Sequence, residues 1–123
     1  MEYKKVLIVD DESELRTLTK EVLELSNFST IEAEDGMKAY RLLLEYHDVI
    51  DLVLLDMRLP GMDGESLIQK INQLQNNPKI IIISACKNYF SNNYLLNNNI
   101  YKYLIKPFGL KVLMDAVCEA MFE

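Results

Sequence analysis

The order of apolar and polar segments predicts an α/β fold, a doubly wound parallel sheet of five strands with five helices. Three observations carry this. Five short apolar runs recur along the 123 residues, and each is followed by a stretch of helical periodicity. Strict alternation of strand and helix demands crossover connections, which place helices on both faces of a parallel sheet. Turn residues fall where strand gives way to helix, at Asp35-Gly36, Pro60-Gly61 and Asp63-Gly64, and Pro78 precedes the fourth run.

The strands are expected at Val6–Val9, Ser29–Ala33, Leu52–Leu55, Ile80–Ile83 and Tyr101–Ile105. Uninterrupted Val, Ile and Leu imply burial on both faces, the mark of inner parallel strands. The second run alternates and is less apolar, which suits an edge. Between the strands, Leu15, Leu18, Val22 and Leu25 fall on one helical stripe, as do Met37, Tyr40, Leu43 and Leu44, then Leu67, Ile71 and Leu74, then Leu110, Leu113, Val117 and Met121. The fourth helix, over 86–98, is the weak member. Asparagine fills positions 88, 92, 93, 97 and 98 there, and each costs roughly 0.6 kcal/mol against alanine inside a helix.

At about 150 residues per domain the chain is expected to form one domain over 1–123. Apolar residues make up 50% and charged residues 26%, the balance of a globular protein. Thirteen Lys and Arg against nineteen Asp and Glu give a net charge of −6, which argues against direct nucleic-acid binding and against an anionic membrane surface. No apolar run is long enough to span a bilayer, and Met1 does not lead into a signal-peptide pattern. Cys86 and Cys118 are far apart without metal-type spacing, so free thiols in the cytoplasm are expected.

The residues just past each strand point to function. The first strand ends in Asp10-Asp11-Glu12, the third in Asp56, the fourth in Ser84 and the fifth in Lys106. In an open α/β sheet ligands bind outside the carboxyl ends of the strands, so these side chains are expected to meet at one edge. Two unit charges 4 Å apart repel by roughly 4 kcal/mol at an effective dielectric near 20. Three clustered carboxylates therefore either hold a proton or bind a cation. Oxygen donors suit a hard ion such as Mg²⁺, and the absence of His and Cys from these junctions argues against zinc. A cation there would let a carboxylate act as nucleophile towards a phosphoryl group, with the lysine and the serine hydroxyl facing other oxygens.

With those residues assembled, the chain resembles the receiver domains of bacterial two-component response regulators. The resemblance runs from about Lys4 to Met121 and rests on Val-Asp-Asp-Glu at 9–12, Leu-Asp-Met-Arg-Leu-Pro-Gly-Met-Asp-Gly at 55–64, Ile-Ser-Ala at 83–85 and Tyr-Leu-Ile-Lys-Pro-Phe at 103–108. It implies a flavodoxin-like sheet of order 2-1-3-4-5, the order for which the chemotaxis receiver is a standard example. It also implies Asp56 as phosphoacceptor, Mg²⁺ held by Asp10, Asp11, Asp56 and the Arg58 carbonyl, Ser84 and Tyr103 as switch residues, Lys106 as the phosphoryl-binding lysine, and a cis Lys106–Pro107 bond. Arg58 and Cys86 occupy positions that tune acyl-phosphate lifetime in the family. Glu12 is expected to start a helix rather than to bind metal, His47 to lie on the surface and Cys118 in the core.

The sequence departs from the family where Asn99-Ile100 replaces a usual Gly-Ala before strand five. Asn99 tolerates the left-handed conformation that ends a helix, while Ile100 adds bulk beneath helix four. The aromatic residues between 89 and 108, with Tyr89, Tyr94 and Tyr101 the outward candidates, are expected to form a partner surface of helix four, strand five and helix five. The expected partners are a sensor histidine kinase or histidine phosphotransfer protein as donor and a downstream protein target. Because the last helix position lies close to Glu123, a stand-alone receiver is expected, with the receiver part of a longer DNA-binding regulator as the alternative. A flavin binder would need a Ser, Thr and Gly cradle after strand one, where three acids stand. A Mg²⁺-dependent phosphohydrolase would need an acid two residues past Asp56, where Arg58 stands. The protein is thus expected to act on its own Asp56 and not as an enzyme on other substrates.

Overall fold

A computed structural model describes residues 4–59, 61–85 and 90–122. Strands β1 (Lys5–Val9), β2 (Ser29–Ala33), β3 (Leu52–Asp56), β4 (Lys79–Ser84) and β5 (Ile100–Ile105) alternate with helices α1 (Ser13–Leu25), α2 (Gly36–Tyr46), α3 (Gly64–Asn72), α4 (Asn92–Asn97) and α5 (Leu110–Phe122). All paired strands are parallel, in the order β2-β1-β3-β4-β5. The expected class, strand order and edge position of β2 are what the structure has.

Alternation along each strand sorts the core into two layers. Leu7 and Val9, with Val53, Leu55, Ile80 and Ile82, face Ala39 and Leu43 of α2 and Leu67, Ile68 and Ile71 of α3. Val6 and Ile8, with Leu52, Leu54 and Ile81, face Leu23 of α1 and Leu113, Ala116, Val117 and Ala120 of α5. Every residue of β3 is buried, as an inner strand requires. Asp35 and Asp63 cap α2 and α3 by accepting the Lys38 and Ser66 backbone N–H groups.

Of the expected stripe of α1, only Val22 is half-buried. Leu15, Leu18 and Leu25 are exposed, and Leu23 is the buried residue of the helix. Arg16 and Lys20 lie towards β2, where their heads pair with Glu32; their aliphatic stems can cover apolar surface there as leucines would. In α2, Met37 and Leu44 are likewise exposed while Ala39 and Leu43 are buried, and in α5 Leu110 is exposed. Cys118 is an exposed free thiol, not a core residue. His47 is half-buried, its Nδ1 2.9 Å from the Gln75 carbonyl oxygen.

Helix α4 forms, but with six residues it is shorter than the periodicity predicts. Asparagines around its C-terminal end are hydrogen-bonded. Asn98 Nδ2 donates to the Tyr94 carbonyl, Asn72 Nδ2 donates to the Ile68 and Asn98 carbonyls, and Asn77 Nδ2 donates to Asn72 Oδ1. Asn99 adopts φ 59° and donates its side chain to the Pro78 carbonyl. These bonds tie the end of α4 to the end of α3 and to the start of β4, and so offset the poor helix propensity. Ile100 fits beneath them as a buried residue of β5, in the cluster that Phe90, Tyr94 and Leu95 pack against. Asn72→Ala removes three side-chain bonds and is expected to cost about 1–2 kcal/mol in a urea titration. Hydrogen exchange of the α4 amides should accelerate in the same variant. The expectations for Pro60, Cys86 and Tyr89 lie outside the described residues.

Candidate functional site

Strand register brings the polar residues to one edge. Val9 pairs with Leu55, so Asp10 and Asp56 come next at the same level. Asp56 pairs with Ile83 and Ser84 with Ile105, so Ser84 and Lys106 arrive one step further along. The backbone continues the ladder past the strand ends, with Met57 N–H on the Ile83 carbonyl at 3.2 Å and Lys106 N–H on the Ser84 carbonyl at 2.8 Å. Asp11, Glu12, Asp56, Arg58, Ser84 and Lys106 line an open cavity of ≈ 490 Å³.

Asp56 is 5% exposed, and both of its oxygens are engaged. Oδ1 accepts the Arg58 backbone N–H at 2.9 Å, and Oδ2 accepts Lys106 Nζ at 2.8 Å. Burial opposes the charge of Lys106, but the hydrogen bond and charge of Asp56, with Asp10 and Glu12 beyond, outweigh it and hold the ammonium above its ordinary pKa. Asp10 is shifted upward. Burial is the main cause and the Asp56 charge adds to it, against the opposing Glu12 N–H bond and Lys106 charge.

Among the described residues, Asp10, Asp11 and Asp56 can each offer one carboxylate oxygen so that all lie within 4.8 Å of one another. Three carboxylates against one ammonium leave an excess of negative charge, and the donors are all hard oxygens. The set fits a small divalent ion with retained waters. Arg58 enters by its backbone N–H, and its side chain is exposed. Glu12 stands at the N-cap of α1 without a side-chain capping bond. Lys106–Pro107 is cis, as the resemblance implies.

The aromatic face differs from expectation. Tyr94 and Tyr101 are half-buried: Tyr94 stacks on Phe90 at 4.2 Å between centroids, and Lys79 lies 5.2 Å from the Tyr101 ring. Tyr103 is half-buried too and meets Phe90 edge-on at 6.4 Å. Among the described residues, the large apolar side chains exposed on α4, β5 and the first turn of α5 are aliphatic (Leu96, Ile105, Leu110 and Val112), and Phe122 is exposed at the far end of α5. Sequence reasoning also passed over Arg16, whose Nη1 donates to the Asp10 carbonyl at 2.6 Å and whose Nε donates to Glu32 at 3.1 Å. The signal for it was a glutamate inside an otherwise half-apolar edge strand.

The family model of the response regulator receiver domain matches residues 6–118. The chain belongs to that family. Sporulation initiation phosphotransferase F of Bacillus subtilis is 32% identical to this receiver, over 93% of the chain and 90% of that protein. The transcriptional regulatory protein CpxR of Escherichia coli is 36% identical over 92% of the chain, which spans only 47% of CpxR. Among solved structures, the response regulator protein TrrA of Thermotoga maritima, in complex with Mg(2+)-BeF, is 30% identical with a TM-score of 0.82, covering 95% of this chain and 98% of that one. This receiver is therefore a component of two-component signalling. Among its described residues, no helix is long and apolar enough to cross a membrane.

Proposed function

We propose that the receiver takes a phosphoryl group onto Asp56 from a phosphohistidine of a sensor kinase or histidine phosphotransfer protein. It then presents an altered α4-β5-α5 surface to a downstream protein, or passes the group on. The observation that carries this reading is a buried Asp56 carboxylate, open to a cavity, with Lys106 Nζ 2.8 Å away and two further carboxylates beside it. An isolated buried salt bridge would need no such acidic neighbours, since they raise its electrostatic cost.

Asp56 supplies the attacking oxygen. Its O–P bond forms as the P–N bond to the donor imidazole breaks, and the electron pair returns to the ring nitrogen. Lys106 gives up its contact with Oδ2 and neutralises a phosphoryl oxygen, and the Ser84 hydroxyl donates to another. Asp10, Asp11, Asp56 and the Arg58 carbonyl would hold Mg²⁺, which cancels repulsion between carboxylate and phosphoryl group when bound. Movement of Ser84 is relayed by Tyr103 through Phe90 to Tyr94 on α4, a chain of ring contacts. Exposed Leu15 and Leu18, on the helix that leaves the acidic loop, support docking of the donor beside the site.

Incubation with acetyl phosphate and Mg²⁺ followed by intact-mass measurement tests the reading. Wild type should gain one phosphoryl group, and Asp56→Asn none. A gain in Asp56→Asn, or none in wild type, overturns it.

A further inference from the structure

The loop between β1 and α1 carries two of the three clustered carboxylates, and Asp10 is its most constrained residue. Its backbone N–H donates to the Ala33 carbonyl at 3.1 Å. Its Oδ1 accepts the Glu12 N–H at 2.9 Å, and its own carbonyl accepts Arg16 Nη1 at 2.6 Å. The same guanidinium donates through Nε to Glu32 Oε1 at 3.1 Å, while Lys20 Nζ lies 3.5 Å from Glu32 Oε2. The Arg16 side chain is 15% exposed.

Two of these ties run to β2. The N–H bond joins Asp10 to Ala33 at the end of that strand, and the arginine joins the Asp10 carbonyl to Glu32, the residue before it. With Oδ1 held by the Glu12 N–H, the planar carboxylate faces Oδ2 in a direction set by where the Asp10 backbone is held. A guanidinium makes both bonds of this bridge at once from one rigid plane, which an ammonium cannot do. We infer that Arg16 is a positioning residue for the cation site, holding the Asp10 carbonyl against β2 so that the Asp10 carboxylate stays turned towards Asp11 and Asp56. The inference rests on the proposal that this acidic cluster takes Mg²⁺.

Charge alone predicts the opposite. An arginine beside carboxylates repels an incoming cation, so deleting it would tighten binding. Positioning predicts weaker binding on deletion, because an outer-shell partner that orients a ligand is worth about 10-fold or more in metal affinity. The sign of the change separates the two.

The experiment is a calorimetric titration of the whole chain with Mg²⁺ at fixed ionic strength, with circular dichroism melts run alongside. Arg16→Ala should bind about 10-fold more weakly than wild type. Arg16→Lys, which keeps the charge and loses the two-pronged bridge, should also bind more weakly. Lys20→Ala, which removes the other cation on Glu32 but touches nothing in the loop, should bind as wild type does. A folded Arg16→Ala that binds as tightly as wild type or more tightly overturns the inference. So does an unchanged Arg16→Lys, which carries the comparison if the alanine variant does not fold. Failure of the unmutated chain to bind Mg²⁺ overturns the underlying site reading, and is recognised because it needs no variant.

Discussion

Lys106→Met should both weaken the fold and all but stop phosphoryl uptake. The substitution keeps the aliphatic stem and removes the ammonium 2.8 Å from Asp56 Oδ2. Asp56, 5% exposed, keeps the Arg58 N–H on Oδ1 but loses the cation on Oδ2, and three carboxylates crowd one edge without that countercharge. Breaking a fully buried pair from one side costs about 3–5 kcal/mol. Lys106 is 28% exposed, so the expected loss is smaller, about 2–3 kcal/mol in a denaturant titration without Mg²⁺. Asp56→Asn/Lys106→Met removes the stranded charge as well, and should be more stable than Lys106→Met alone. Uptake from acetyl phosphate should fall by a factor of about 100 or more, the worth of one charge-stabilising donor. A double variant no more stable than the single one would mean that the pair carries no buried-charge penalty.

The parts of this receiver legible from sequence are those set by burial and by strand ends. Four-residue runs such as Val6–Val9, bounded by turn residues and alternating with helical stripes, read as inner strands, and once the strands are parallel, Asp10, Asp56, Ser84 and Lys106 must emerge at the same edge. Helix faces were harder. In α1 the leucines at 15, 18 and 25 make a regular stripe, yet the helix turns Leu23 inward and lays Arg16 and Lys20 along β2. Periodicity counts apolar side chains and misses charged ones that bury their stems and pair their heads. What holds the end of α4 was hidden for a related reason. Propensity scores its asparagines as losses and cannot see the bonds that Asn72 and Asn99 make to the Asn98 and Pro78 carbonyls, partners distant in sequence that tie down the end of the helix. Cys118, next to buried Val117 on α5, shows the same limit at one residue: a single step around the helix separates core from solvent.

Gly36→Ala should destabilise the protein although alanine is the better helix former by about 1 kcal/mol. Gly36 opens α2 directly after its Asp35 cap. A Cβ at this position would collide with the Met62 carbonyl oxygen and stand 2.8 Å from the Met62 Cβ, so the obstacle includes backbone that no rotamer can clear. Either α2 or the segment between β3 and α3 must move. Overpacking of this kind costs about 1–3 kcal/mol, and with backbone as the obstacle a net loss of about 1–2 kcal/mol is expected after the propensity gain. The displaced segment also includes Arg58, whose N–H holds Asp56 Oδ1, so uptake from acetyl phosphate should slow in the folded fraction. Gly64→Ala provides the contrast. Its Cβ would first meet the Met57 Sδ and Cε atoms at 2.6 and 2.7 Å, the far end of a flexible side chain that can swing away, and the nearest backbone atom, the Met57 Cα, lies further off at 3.2 Å. That variant should lie within about 1 kcal/mol of wild type. Equal stability for both alanine variants in a urea titration would show that α2 can draw back from Met62 at little cost, and that the Arg58 segment is not braced from behind.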